Sequence, residues 1–121
     1  MQLEALDLTL SVCKLAGLAG IDLASELFFL GRTADEISLV CPTGDAPRTA
    51  LAREDGWRAF RVKGSMDFSL VGVLSRLSGA LASRGIPIFA VSTFDTDYIL
   101  VKDADFERAL AALAEAGFET V

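Results

Sequence analysis

The order of hydrophobic periods in the second half of the chain constrains the fold more than any other feature. Residues 57–63 (WRAFRVK) alternate as a strand, though not cleanly. Residues 69–84 place Leu70, Val73, Leu74, Leu77 and Leu81 at helical spacing, with Arg76, Ser78 and Arg84 mostly outward. Gly85 stands where a C-terminal cap is needed, and Pro87 blocks continuation. Two β-rich runs, 88–94 and 97–102, are joined by Asp95-Thr96 as a hairpin. Asp103 suits the N-cap of a helix presenting Phe106, Leu110 and Leu113, and Gly117 ends it before a short last strand at 118–121. Strand, helix, strand, strand, helix, strand is the split βαβ plan, an α+β ferredoxin-like βαββαβ fold. Two helices cover one sheet face, and the other face needs cover.

The first half reads as a degenerate copy. Residues 5–15 set Leu6, Leu8, Leu10 and Val12 against Asp7, Thr9 and Ser11, the pattern of a half-buried strand. Residues 16–26 are small and Gly-punctuated, which predicts a loop with at most one helical turn. Runs 27–32 and 36–41 form a hairpin around Thr33-Ala34-Asp35, and a weak helix at 46–54 closes at Gly56. The two hairpins align at an offset of 61, which sets Phe28 on Phe89 and Val40 on Val101. The same offset sets Gly56 on Gly117, each ending a helix before an aromatic residue. Two copies of one motif in a short chain indicate duplication. The N-terminal copy has too few residues for a four-turn first helix, so that helix is lost or shortened. One strand, 57–63, stands where two full copies need two. The modules, 1–56 and 57–121, are therefore expected to interlock and share a sheet.

Composition removes several function classes. The chain has 121 residues, enough for one compact domain or two small modules sharing a core. A net charge of −6 argues against nucleic acid and anionic membrane as partners. Nine acids and four bases fall in residues 1–56, but the acids are scattered and read as solubility. The absence of His removes His-based acid–base chemistry, Ser–His and Cys–His nucleophiles, and His metal sites. Cys13 and Cys41 are isolated in apolar runs, so they read as buried thiols or a chance cross-strand pair, with no metal and no cofactor implied. No run reaches the roughly 18 apolar residues of a spanning helix. The start lacks a signal peptide's basic and apolar regions, so a cytoplasmic location is expected.

Two segments carry chemistry. Gly64-Ser65-Met66-Asp67-Phe68-Ser69-Leu70-Val71-Gly72 joins a strand to a helix. Free N–H groups at a helix start attract an anion, and small residues allow close approach. The same segment also reads as an ordinary turn capped by Asp67 or Ser69. It is neither a Walker loop nor a dinucleotide fingerprint. Ser92-Thr93-Phe94-Asp95-Thr96-Asp97-Tyr98 crowds two acids and hydroxyls at a hairpin. Turn chemistry explains Asp95 and Thr96. Asp97 at a strand end either holds an ammonium group by a charge-assisted hydrogen bond or is a solvated acid.

Residues 60–117, with DFSLVG (67–72), GIPIF (85–89) and STFDTDYILV (92–101), resemble the ACT domains of the CASTOR type. FFLGRTADEISLVC (28–41) is similar to the hairpin of a paired first module, so the resemblance covers nearly the whole chain. It implies two tandem ACT-like modules with interlocked antiparallel sheets, non-catalytic and regulatory. It implies a small ligand, usually a free amino acid, held at a module or subunit junction. Carried over residue by residue, the ligand contacts fall on Ser65, Asp67, Phe68, Ser69, Val71 and Gly72 in the loop and on Phe94, Asp95, Thr96 and Asp97 in the hairpin. The 68–72 backbone then takes the carboxylate, Phe94 makes an apolar contact, and Asp97 takes the ammonium.

Three classes compete: an amino-acid-binding regulatory module, a structural or protein-interaction module, and an enzyme. The interaction reading expects Trp57, Phe60 and Tyr98 on an outer sheet face, buried by a second subunit, with a homodimer as the default. The enzyme reading has Asp95 and Asp97 two residues apart around a turn, but too small a scaffold for a cleft, and it is rejected unless a cleft with a buried, perturbed carboxylate is found.

Overall fold

The computed structural model describes residues 2–63 and 72–121. Among the described residues there are eight strands: β1 (Gln2–Ala5), β2 (Leu10–Leu15), β3 (Phe29–Arg32), β4 (Ile37–Pro42), β5 (Ala52–Val62), β6 (Phe89–Ser92), β7 (Asp97–Lys102) and β8 (Glu119–Thr120). Two helices, α1 (Val73–Ala82) and α2 (Phe106–Glu115), lie in the second half. The fold is mixed α+β of the ferredoxin type. Its residues divide into two compact units, Met1–Asp7 with Arg58–Val121, and Leu8–Trp57. We call them the helical unit and the sheet unit. The first seven residues thus group with 58–121 rather than with the rest of 1–56. β5 runs from one unit into the other, with 52–57 in the sheet unit and 58–62 in the helical unit.

In the helical unit β5, α1, β6, β7, α2 and β8 follow the βαββαβ order. β7 lies between β5 and β6. A plain split βαβ returns its last strand beside its first. Here β1 is inserted between them, antiparallel to β5 and parallel to β8. Of the single strand expected at 5–15 only Leu10–Leu15 forms one: Ala5 ends β1, which pairs in the helical unit, and 6–9 lie in no strand. The core takes Leu3, Phe60, Val62, Ile99 and Val101 from the sheet and Val73, Leu77 and Leu81 from α1. Those three helical residues repeat every fourth position and keep one stripe on the sheet. In α2 the buried stripe is Ala109, Ala112 and Leu113, with Phe106 and Leu110 only partly buried. The helix thus faces the sheet with smaller residues than its large apolar side chains suggest.

Both helices end as their glycines indicate. In α1 the amide of Ile86 donates to the Leu81 carbonyl and that of Gly85 to Ala82. In α2 Phe118 donates to Leu113 and Gly117 to Ala114, with Gly117 at φ 95°. These paired bonds are the Schellman closure, whose next residue is an apolar plug, here buried Ile86 and Phe118. The start of α2 differs from expectation. Asp103 lies in a 3-10 turn (Asp103–Asp105), and Asp105 precedes the helix without a side-chain cap bond.

The sheet unit has the same strand plan, β3-β4-β2-β5. β2 pairs antiparallel with both β4 and β5, and β3 with β4. Among its described residues the only helical turn is a 3-10 turn at Thr43–Asp45. The weak helix expected at 46–54 does not form. Ala50 donates to the Pro47 carbonyl and Leu51 to that of Lys14, and β5 has begun by Ala52. Gly56 therefore ends no helix. It lies at a β-bulge, where Asp55 and Gly56 oppose the single residue Ser11 between the pairs Leu10–Trp57 and Val12–Glu54. Gly56 takes φ 80° there. The Ser11 hydroxyl, fully buried, donates to Asp55 at 2.5 Å and lies 3.0 Å from the Thr43 hydroxyl.

Gly56→Ala is expected to cost about 1–2 kcal/mol, since nothing lies near the added methyl and the left-handed backbone alone is strained. Gly31→Ala, in open space and at ordinary φ, is expected to be neutral or stabilising. Urea midpoints of the two variants check this.

The hairpins match more closely than the sequence alignment indicates, at an offset of 60 rather than 61. Phe29 pairs with Val40 and Phe89 with Leu100; Arg32 pairs with Ile37 and Ser92 with Asp97. The amides of Thr33 and Thr93 each donate across the turn, to Glu36 and Thr96. At this offset Phe29, Thr33, Asp35 and Asp45 meet identical residues, and both copies end in a 3-10 turn.

Cys13 and Cys41 are free, buried thiols on the neighbouring strands β2 and β4. Burial pushes both thiols up, Cys41 to about 11, with Cys13 and Asp45 adding to it. Between pH 9 and 11 the unfolded chain releases thiol protons that the folded chain retains. Stability is therefore expected to fall across that window, and Cys41→Ala to flatten the slope measured by urea denaturation.

Candidate functional site

The residues expected to bind a ligand divide sharply. Ser65, Asp67, Phe68, Ser69 and Val71 lie outside the described residues. Gly72 immediately precedes α1 with φ 84°, and its carbonyl accepts the first helical bond, from the Arg76 amide at 2.9 Å. The other four candidates sit on the β6–β7 hairpin. Phe94 and Asp95 are at the tip, with Phe94 81% exposed. Thr96 and Asp97 turn inward.

Thr96 fixes the hairpin to the neighbouring strand. Its hydroxyl donates to the Val62 carbonyl, the last residue of β5, at 2.8 Å. The Thr93 hydroxyl and amide both donate to the Thr96 carbonyl, at 3.1 and 2.8 Å. These bonds hold the start of β7 against the strand that leads into 64–71. Thr96 thus positions the hairpin against β5.

Asp97 opens β7 and is 8% exposed. Alternation along the strand puts it on the face of Ile99 and Val101, under the helices. It borders an interior gap with Val62, Leu77, Leu81 and Ile99 that has no room for water. The Ser92 hydroxyl, directly across the hairpin, donates to its Oδ1 at 2.6 Å. A carboxylate has about four acceptor positions, and one hydroxyl supplies one proton. Among the described residues Asp97 is the only buried charged side chain, and no described ion pair includes it. The ion pairs among the described residues lie elsewhere, with their side chains partly or largely exposed. Arg61–Glu4 ties β5 to β1, and Arg58 pairs with Asp103 while lying 4.0 Å over the Phe106 ring.

Burying a carboxylate without a cation costs several kcal/mol. What Asp97 can do is accept hydrogen bonds from a cation at the start of β7. Ser92 belongs to this arrangement, and the sequence reading assigns it no role. Its signal was the hairpin register, which sets it opposite Asp97. Trp57 and Phe60, expected to await a second subunit, are instead 7% and 1% exposed within the chain. Phe60 faces the helices and stacks on Phe106 at 5.1 Å. Among the described residues no three His, Cys, Asp or Glu side chains group as a metal site, and no helix is long and apolar enough to cross a membrane.

Residues 52–115, from β5 to the end of α2, match the sequence model of the ACT domain. No curated protein matches the chain by sequence. Among solved structures, a protein from Agobacterium tumefaciens is 31% identical over 99% of this chain and 91% of its own, with a TM-score of 0.88. The regulatory subunit of aspartate kinase from Thermus thermophilus is 15% identical, covering 93% of this chain and 96% of its own, at 0.62. Aspartokinase III of E. coli, solved with aspartate and ADP, is 14% identical over 95% of this chain and 32% of its own, at 0.64. The last two share the fold. With the domain match spanning more than half of its residues, the chain belongs to the ACT domain family.

Proposed function

We propose that the chain is a non-catalytic regulatory module that binds a free amino acid in the helical unit, with Asp97 accepting the ammonium group. The observation that carries this is the buried carboxylate with no described cation partner. The fold is that of an aspartate kinase regulatory subunit, and one such kinase was solved with aspartate, which supports an amino acid as the ligand class. Within this reading the backbone of 68–72 takes the ligand carboxylate, Phe94 lies along its side chain, and the chain is a tandem ACT-like protein of the CASTOR type. Assembly as a homodimer belongs to the same reading, and light scattering on the purified chain tests it.

The test of function is the thermal midpoint measured with each of the twenty amino acids. A rise confined to one or a few of them, lost in Asp97→Asn, is expected. A flat response leaves a structural or interaction module, with exposed Phe94 as its contact.

A further inference from the structure

We infer that the chain holds a single amino-acid site, because the counterpart position in the sheet unit carries an apolar residue packed on a hydrophobic cluster in place of the acid; the inference rests on the role given to Asp97 above. At the offset of 60 the two hairpins have the same turn and register, so their first paired residues correspond. Ser92 and Asp97 in the helical unit answer to Arg32 and Ile37 in the sheet unit. The turn is conserved between the copies while the chemistry is exchanged. Ile37 pairs with Leu15 and packs on the cluster of Cys13, Leu15, Leu39 and Cys41. Ile21 and Phe28, both partly buried and from the segment that stands in place of a first helix, pack against the same cluster. The counterpart of Thr96 is Glu36, which is exposed and accepts a bond from Ser38 at 2.8 Å. Nothing on that hairpin offers a buried acceptor to an ammonium group.

The two copies carry different chemistry at this position, a buried acid at Asp97 and a partly buried apolar side chain at Ile37. An apolar β-branched residue in this place adds to the core, while a carboxylate forgoes that and must be desolvated. Keeping an acid in one copy only is the pattern of a functional site held against stability.

Reciprocal exchanges test this with the full chain. Asp97→Val carries the character of Ile37 in a side chain small enough for the site, and Asp97→Asn is its isosteric companion. Asp97→Val is expected to raise the ligand-free thermal midpoint by roughly 3 °C or more, and Ile37→Asp to lower it by at least as much. Where Ile37→Asp does not fold, Ile37→Thr serves. If Asp97→Val and Asp97→Asn both lower the midpoint as Ile37→Asp does, Asp97 is a structural acid and the inference is overturned. Equilibrium dialysis of each labelled amino acid then counts sites. One bound per chain, lost in Asp97→Val and retained in Ile37→Thr, supports the single site. Two bound per chain, with one surviving in Asp97→Val, overturns it and leaves the role of Asp97 standing. No binding by any of the twenty overturns the amino-acid reading itself, and the single site with it.

Discussion

Phe60→Ala is expected to lower folding stability by about 3–5 kcal/mol. Phe60 is 1% exposed and sits at the centre of the helical unit's sheet, among Leu3, Val62, Leu77 and Leu81. Its ring lies parallel to that of Phe106 at 5.1 Å, and Arg58 covers the other partner. Truncation loses the transfer energy of the ring, the stacking contact and the packing around a cavity that α1 cannot collapse into without moving. A domain of this size has a total stability of about 5–15 kcal/mol, so the variant is expected to be partly unfolded at moderate temperature. Phe94→Ala is the matched control. Phe94 is 81% exposed, and its loss is expected to change stability by less than about 0.5 kcal/mol. Urea denaturation gives both values. Equal effects would mean that the core is not where Phe60 and Phe106 place it.

The second large effect is on binding. An amino acid at a hundred times its dissociation constant is expected to stabilise the chain by about 2.7 kcal/mol. Asp97→Asn keeps the shape and the Ser92 contact but removes the charge. A hydrogen bond to a charged partner contributes about 1.5–3 kcal/mol, so affinity is expected to fall by roughly 10- to 100-fold. Because Asp97 is buried without a described cation, the same change should cost the ligand-free chain little or nothing. Loss of binding without loss of stability distinguishes a ligand group from a structural one. An Asp97→Asn variant that unfolds would show the acid to be a strut.

How much of this was legible in the sequence depends on how local the governing interactions are. The β6–β7 hairpin, both glycine-closed helix ends and the buried face of α1 are set by neighbours within four or five residues, and all three could be read. Strand pairing is not local. The run 5–15 largely alternates, and nothing in it says that the strand ends at Ala5 and resumes at Leu10, or that Gln2–Ala5 pairs with β5 and β8 while Leu10–Leu15 pairs with β4. The glycine at 56 looks like a helix end because bulges and helix caps call for the same backbone angle. The repeat was visible, but its offset was one residue out, since few identities fix it and only strand register decides it. That single residue matters: at 61 Asp97 answers to Glu36, and at 60 it answers to Ile37. Asp97 stood out because an acid at a strand end is unusual. Ser92 did not, because a serine at a hairpin needs no explanation until its partner is known.

The most direct measurement compares the amino acid that raises the thermal midpoint with its N-acetyl derivative, titrated into the wild-type chain. Acetylation removes the ammonium charge and leaves the carboxylate and side chain in place. If Asp97 receives the ammonium group, the free amino acid binds and the acetylated form does not, and Asp97→Asn treats the two alike. Equal binding of both forms by the wild-type chain would contradict the assignment.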